Sequence, residues 1–127
     1  MKALVVGLDG ATYAVLKPLM QAGYMPNLMQ ALSKGAQGEL LSTIPPVTAL
    51  AWPTFMTGKN PGKHGLLGWQ EPLNERFERP WVSGCRINGA KLWDLAGAAG
   101  MRVCIVNVPV TYPPEPVNGV MVTGMLT

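Results

Sequence analysis

The sequence predicts an α/β fold in which a mostly parallel β-sheet has helices on both faces. Two apolar runs rich in β-branched residues, ALVVGL at 3–8 and VCIVNV at 103–108, show no polar alternation, which is typical of strands buried on both sides. Segments of helical spacing separate these runs, as in βαβ units. The chain of 127 residues is long enough for one core, so we predict that residues 1–127 belong to a single domain.

The first third of the chain predicts a strand, two helices and a weaker strand. The run at 3–8 is the first strand. A helix over residues 13–22 follows, and Pro18 interrupts or kinks it because proline has no N–H to donate. A second helix starts at the proline that opens residues 26–34 and stops at a glycine. Residues 39–43 (ELLST) are a weaker strand candidate.

The central part predicts one short helix and a surface excursion. Pro53 fits the first turn of a helix, so we expect the helix that follows Thr48 to become regular only around Trp52. Residues 70–83 contain two prolines and three of the seven acidic side chains. We expect them to form an irregular surface segment near a substrate cleft.

The last third predicts a helix and two strands. Asn88 is a suitable N-cap for a helix over residues 89–99. Cys104 lies in the second buried strand, where a thiol behaves as a small apolar group, and residues 120–123 predict a last strand. The inward stripe of the helix, read from its spacing, is Leu92, Leu95, Ala96 and Ala99.

Composition excludes several classes of protein. No apolar run approaches the roughly 18 residues of a membrane helix, and the first residues lack the cleavage site of a signal peptide. We therefore predict a cytoplasmic protein that does not bind a membrane. The net charge of +3 comes from scattered residues, which disfavours binding to a nucleic-acid duplex and suits small anions. Cys85 and Cys104 give no reason to expect a disulfide.

The candidate site is built around residues 44–65, IPPVTALAWPTFMTGKNPGKHG. A stiff Pro-Pro turn presents the hydroxyl of Thr48 near a helix start, where backbone N–H groups and the helix dipole favour an anion. Thr48 is either a nucleophile aimed at a phosphate ester or a capping hydroxyl. Asp9 is either a metal ligand or a turn residue. Strand ends meet at one edge of a parallel sheet, so one metal ion could bridge Asp9 and Thr48 and activate the hydroxyl.

Three further residues are weaker candidates for substrate contacts. Asn107 ends the strand at 103–108 and could bind a phosphoryl group, or simply occupy a turn. His64 could touch substrate or fix its glycine-flanked loop. Lys59 could meet a phosphate or be solvated.

The chain resembles the N-terminal part of the alkaline phosphatase superfamily, in the branch of type I phosphodiesterase/nucleotide pyrophosphatase-like proteins that includes predicted phosphohydrolases and phosphomutases. The resemblance is carried by VVGLDGATYAVLKPL, MPNLMQAL, STIPPVTALAWPTFMTGKNPGKHG and LWDLAGAAGMRVCIVNVPVTYPPEPVNGVMVTGML. Its most specific parts are the Gly-Leu-Asp-Gly start and the T-x8-T-G-x2-P-x2-H-G block. Only residues 71–85 or so lie outside it. The family often has proline two residues after the nucleophile, where this chain has Leu50.

The resemblance implies phosphoester hydrolysis or transfer through a phospho-threonine. It makes Asp9 a ligand of one metal of a two-metal site, Thr48 the nucleophile and a ligand of the same metal, and His64 a positional residue. Zinc is the first expectation for the metal, with manganese or iron as alternatives. A two-metal cage needs several more ligands, and this chain has one histidine. We therefore expect a fragment, inactive alone, with an incomplete alkaline-phosphatase-like sheet through which copies could self-associate.

Two other functions are compatible with the same sequence. The chain could be a non-catalytic α/β module that binds an anion or a partner. It could also be a phosphomutase that moves phosphate within a small molecule.

Overall fold

The structure, a computed structural model, describes residues 3–125. They fall into two compact units, one of residues up to Leu41 and one of residues from Ser42. The prediction of a single domain stays a prediction. The described elements are α1 (Tyr13–Gln21), α2 (Pro26–Lys34), α3 (Thr48–Thr57), α4 (Pro61–His64), a 3₁₀ turn (Gly84–Arg86), α5 (Leu92–Ala98), β1 (Val103–Val108) and β2 (Gly119–Thr123).

The first unit confirms both predicted helices. α1 starts after Thr12, which occupies the N-cap position without a side-chain capping bond, and it contains Pro18. α2 starts at Pro26, whose missing N–H costs nothing in the first turn. Neither helix is long and apolar enough to cross a bilayer, and the same holds for the other helices within residues 3–125.

The prediction of a buried first strand is wrong. Residues 3–8 have no strand pairing, and Leu4 is 88% exposed. The weaker strand at 39–43 is also absent, with Leu40 and Leu41 almost fully exposed. A strand requires a hydrogen-bonded neighbour, and the described residues of the first unit contain no strand to pair with.

The second unit confirms two of the predicted strands and their parallel pairing. β1 has the predicted bounds, and β2 begins one residue earlier than predicted. The register runs from Val103 opposite Gly119 to Val108 opposite Thr123, with a bulge between Val106 and Val108. Within residues 3–125 the sheet has these two strands. The chain is thus an α/β structure of helices and a small parallel sheet.

Gly119 allows the two strands to approach each other. A Cβ atom at this position would lie 1.8 Å from the carbonyl oxygen of Val103, and the φ angle of +154° also favours glycine. A side chain here would push β2 away from β1.

One face of the sheet packs on the core and the other is exposed. The core cluster consists of Met56, Leu66, Val82, Ile87, Trp93, Ile105 and Val110. Alternate residues of a strand point to opposite faces, so Ile105 is buried while Cys104 and Val106 are exposed. The prediction that Cys104 is buried is therefore wrong, because only one face of the sheet is covered within the described unit.

Helix α5 starts later and buries a different face than predicted. It begins at Leu92, and the Asp94 carboxylate accepts a 2.7 Å hydrogen bond from the Lys91 backbone N–H, which closes the first turn. Trp93 is buried, whereas Leu92 and Leu95 of the predicted inward stripe are exposed. The large indole of Trp93 packs in the core, so the helix face that carries Leu92 and Leu95 is turned toward solvent.

The carboxyl ends of the two strands are tied together by the hydroxyl of Thr111. Its Oγ1 donates to the carbonyl of Val108 at 2.6 Å and accepts from the backbone N–H of Gly124 at 3.0 Å. Thr111 and Gly124 are both buried. A buried N–H that loses its acceptor costs about 1–3 kcal/mol.

We expect the Thr111→Val substitution to lower the free energy of unfolding by about 2 kcal/mol, because valine keeps the shape of the side chain and removes its hydroxyl. Thr111→Ser keeps the hydroxyl and is expected to lose less than half as much. Urea denaturation of the three proteins measures this. Equal losses in the two variants would show that the hydroxyl does not support the strand ends.

Candidate active site

Thr48 is the first residue of helix α3 and is half-buried. The turn before it is held by two hydrogen bonds to the Pro45 carbonyl, from the Val47 N–H at 3.0 Å and from the Thr43 hydroxyl at 2.9 Å. Val47 occupies the N-cap position and has no side-chain oxygen. Thr48 is therefore not the N-cap residue of α3, and the turn delivers its hydroxyl to the helix N-terminus.

Helix α3 forms from its first residue, contrary to the prediction that it becomes regular around Trp52. The backbone N–H groups of Leu50 and Ala51 both donate to the Val47 carbonyl at 2.9 Å, which closes the first turn well before Pro53. Pro53 is the sixth residue of the ten-residue helix. The positive end of the helix dipole thus lies at Thr48, where it favours a negatively charged group.

Asp9 lies in the first unit, in a turn that precedes α1. Gly10 follows it with a φ angle of +69°, and the Ala11 N–H donates to the Leu8 carbonyl at 3.4 Å. The position at the end of the apolar segment 3–8 is as predicted, although that segment is not a paired strand. Asp9 and Thr48 belong to different units, so their convergence on one metal stays a prediction.

The described residues do not by themselves fit a metal ion. Within residues 3–125, no three histidine, cysteine, aspartate or glutamate side chains are grouped so that they could hold one. Zinc sites need three or four protein ligands, and two-metal sites need more. Asp9 and Thr48 could supply only part of such a set.

His64 is buried in the corner between α3 and α4, with 0% of its surface exposed. The Leu66 N–H donates to Nδ1 at 3.2 Å, so Nδ1 carries no proton and the neutral ring is protonated on Nε2. Nε2 lies 3.1 Å from the hydroxyl of Thr54 and donates to it. Both ring nitrogens are thus engaged inside the protein, and this geometry favours the positional role over a substrate contact.

Burial lowers the pKa of His64 below its usual value of 6.5, although hydrogen bonding to the backbone carbonyl of Leu50 opposes this shift. The folded protein therefore holds a neutral ring at pH values where the unfolded chain is already protonated. As the pH falls below 6.5, the unfolded state gains a proton that the folded state resists, so stability falls.

We expect the free energy of unfolding to be independent of His64 above its usual pKa of 6.5 and to decrease below it, by at most about 1.4 kcal/mol per pH unit. His64→Gln removes the titrating group and is expected to flatten this part of the curve. Denaturation at a series of pH values measures both proteins. An unchanged slope in the variant would assign the acid sensitivity to other groups.

Lys59 lies at the opposite end of α3 from Thr48. The ten residues of α3 separate the two by about 15 Å of helical rise. The Lys59 side chain extends over Gly89, where an added Cβ would lie 2.4 Å from Nζ. The ammonium group is thus directed to the loop around Gly89 and away from the Thr48 end of the helix.

Asn107 lies at the carboxyl end of β1, where ligands bind in parallel sheets. It is exposed and forms the bulge, with a φ angle of +57°. Asparagine tolerates this left-handed conformation better than most residues, but no local sequence pattern predicts the bulge. Val110, three residues later, also has a positive φ of 60°, which is unusual for a β-branched residue.

Sequence reasoning missed Thr54, which holds the His64 ring. The two residues are ten positions apart, and the contact forms only because α4 folds back on α3. The N-cap side chain of Asn60, which accepts from the Lys63 N–H at 3.1 Å, starts α4 and sets this corner. Asn60 followed by Pro61 is the local signal that could have located the corner.

Comparison with known proteins and protein families shows which family the chain belongs to. No curated protein and no solved structure shows a significant match. The family model of type I phosphodiesterase / nucleotide pyrophosphatase matches residues 3–125, which is nearly the whole sequence. The chain belongs to the type I phosphodiesterase/nucleotide pyrophosphatase family, within the alkaline phosphatase superfamily.

Proposed function

We propose that the protein hydrolyses or transfers phosphate mono- or diesters through a phosphorylated Thr48. The observation that carries this proposal is the position of Thr48 at the N-terminus of α3, in a chain whose family suggests phosphoester hydrolysis. A hydroxyl at this point lies beside the positive end of a ten-residue helix, which would stabilise negative charge on a phosphoryl group.

The proposed reaction has two steps. In the first, the bond from Thr48 Oγ1 to phosphorus forms and the bond from phosphorus to the leaving oxygen breaks. The hydroxyl proton passes to solvent, and the leaving oxygen takes a proton from solvent. In the second, water attacks phosphorus, the Thr48 ester bond breaks, and the hydroxyl regains its proton. Replacing water by a second alcohol gives transfer.

Asp9 and Asn107 are the other proposed participants from this chain. Asp9 would supply a carboxylate, and Asn107 would donate its amide N–H to a phosphoryl oxygen from the exposed bulge at the end of β1. We assign His64 a positional role, which its contact with Thr54 supports, and we leave Lys59 out because its ammonium lies over Gly89.

We also propose a divalent metal ion as cofactor, with zinc as the first choice and manganese or iron as alternatives. Asp9 and Thr48 would be the ligands from this chain. Since residues 3–125 contain no group of three metal-binding side chains, the remaining ligands would come from outside them. We further propose that the protein is cytoplasmic and that its substrate is a small phosphate ester.

Release of alcohol from aryl phosphate monoesters and diesters tests the proposed activity, in a form of the protein that carries a complete ligand set. We expect release that depends on added divalent metal and stops with a chelator. If the protein bound phosphate but released no alcohol with any divalent metal, the alternative of a non-catalytic anion-binding module would be supported instead.

A further inference from the structure

The bulge at the end of β1 reverses the direction of one side chain. Ile105 is buried and Val106 is exposed, so strict alternation would direct the next side chain, that of Asn107, to the core face. Asn107 is instead exposed, because it has no partner in the register with β2 and its φ angle is +57°. Bulges are known to re-aim side chains in this way. Here the bulge turns an amide out of the core at the carboxyl end of the strand.

The Asn107 side chain differs from asparagines that serve the backbone at turns. The side-chain oxygens of Asn60 and Asn74 each accept a hydrogen bond from a backbone N–H two or three residues later. Within residues 3–125, Asn107 forms no such bond. Its exposed amide can therefore donate to a ligand without giving up an internal contact.

Gly124 makes room for the bulge. A Cβ atom added at this position would lie 2.5 Å from the carbonyl oxygen of Val108 and 2.7 Å from the carbonyl oxygen of Asn107. Both oxygens belong to the backbone, so neither can rotate away as the end of a side chain can. Gly124 does not have a left-handed φ angle. Glycine is needed here because of the close approach of the bulge, and not because of its own backbone conformation.

The residues that follow the bulge are fixed at further points. The Thr111 hydroxyl bonds both the Val108 carbonyl and the Gly124 N–H. The Gly84 N–H donates to the Tyr112 carbonyl at 2.7 Å. The protein thus holds the bulge in place through its own contacts, which is the preorganisation that a donor to a charged group requires.

We infer that Gly124 is a positioning residue for the phosphoryl contact of Asn107. Because Gly124 has no Cβ, the backbone of Asn107 can adopt the left-handed bulge, and the amide is presented at the edge of the sheet where ligands bind. The inference rests on the proposed function, in which the Asn107 amide donates to a phosphoryl oxygen. Gly124 acts only through Asn107.

Two substitutions test the two halves of this inference. Gly124→Ala adds the Cβ atom that the bulge excludes, whereas Asn107→Gly removes the amide and keeps the bulge, since glycine suits a φ angle of +57°. Each should raise the dissociation constant of inorganic phosphate by about tenfold, the effect of losing one hydrogen bond to a charged group. Isothermal titration calorimetry measures this constant in a form of the protein that carries a complete ligand set.

Gly68→Ala is the matched control. An added Cβ at Gly68 meets nothing within 4 Å, and its φ angle is not left-handed. We expect this variant to bind phosphate like the natural protein.

The double variant Gly124→Ala/Asn107→Gly separates positioning from a general structural effect. If Gly124 acts through the amide, the double variant should bind phosphate no more weakly than Asn107→Gly alone. A loss of about a hundredfold in the double variant would show that the two residues act independently. In NMR spectra, phosphate should shift the side-chain amide signal of Asn107 in the natural protein and should no longer shift it in Gly124→Ala.

Thr111→Val replaces Gly124→Ala in this comparison if Gly124→Ala does not fold, because it releases the same bulge without adding an atom against it. The inference is overturned if phosphate does not shift the Asn107 amide signal, if Gly124→Ala binds phosphate like the natural protein, or if Gly68→Ala weakens binding equally. Release of alcohol from phosphate esters distinguishes the two proposals. Ester cleavage without a phosphate-dependent Asn107 signal overturns the inference alone, whereas the expected coupling in a protein that cleaves no ester overturns the proposed reaction alone.

Discussion

Replacing Thr48 by alanine should lower the rate of phosphoester cleavage on the order of a thousandfold or more, as loss of a covalent nucleophile generally does. The substitution removes the hydroxyl and the γ-methyl group from the first residue of α3. Alanine is a good helix former, so the helix and its dipole should remain. Substrate could still bind, but the protein would lack both a proposed metal ligand and the atom to which the phosphoryl group is transferred.

Two control variants make this result specific. Thr48→Ser keeps a hydroxyl at the same position and should retain measurable activity. Thr57→Ala removes a threonine hydroxyl at the other end of the same helix, where it bonds the Pro53 carbonyl at 2.6 Å, and should leave turnover nearly unchanged. Metal-dependent release of p-nitrophenol from its phosphate esters measures all four proteins. Full activity in Thr48→Ala would show that another group is the nucleophile.

Replacing Glu115 by alanine should lower the free energy of unfolding by about 4 kcal/mol. The Glu115 carboxylate accepts from the Lys91 ammonium at 2.6 Å with one oxygen and from the Trp93 indole N–H at 2.6 Å with the other. The Lys91 side chain is only 9% exposed. Without Glu115, a nearly buried ammonium and a buried indole N–H both lose their acceptor, and a buried unpaired charge is one of the most destabilising changes.

Glu71→Ala is the matched control, because Glu71 forms the other described ion pair, with Arg86 at 3.1 Å. The Arg86 side chain is 65% exposed, so solvent screens this pair and its loss should cost less than about 1 kcal/mol. Urea denaturation monitored by tryptophan fluorescence compares the two variants with the natural protein. If the two variants lost equal stability, the Glu115 bridge would not be the strong contact that its burial implies.

The elements with local signals were predicted from the sequence, and the others were not. Pro26 at a helix start and the β-branched residues of β1 act within a few positions, so α2 and β1 have the predicted bounds. The apolar run at 3–8 has the same composition as β1, yet it is unpaired and exposed. Composition gives a tendency to form a strand, whereas pairing depends on which segments meet in three dimensions.

The buried face of a helix also depends on contacts that are distant in sequence. Spacing alone predicted that Leu92 and Leu95 of α5 point inward, but Trp93 is the buried residue. Its indole N–H finds a partner in Glu115, 22 positions away, and no local pattern reveals that contact.

The placement of Thr48 was predictable from the sequence, but the surroundings of the other candidate residues were not. The Pro-Pro turn correctly indicated that Thr48 stands at a helix start, although α3 begins at Thr48 itself and not at Trp52. The glycines around His64 indicated a defined loop. The burial of His64 and its bond to Thr54 depend on how α4 folds against α3, which the sequence does not show. The bulge that exposes Asn107 depends in turn on pairing with β2.

The most direct test of the central claim is to trap the phosphorylated protein. Turnover of a phosphate ester would be stopped with acid, and the peptide that contains Thr48 would be analysed by mass spectrometry. Phosphorylation through Thr48 predicts one phosphoryl group on this peptide, located on Thr48 and absent after incubation without substrate. If active protein carried the phosphoryl group on a residue other than Thr48, this result would contradict the proposed mechanism.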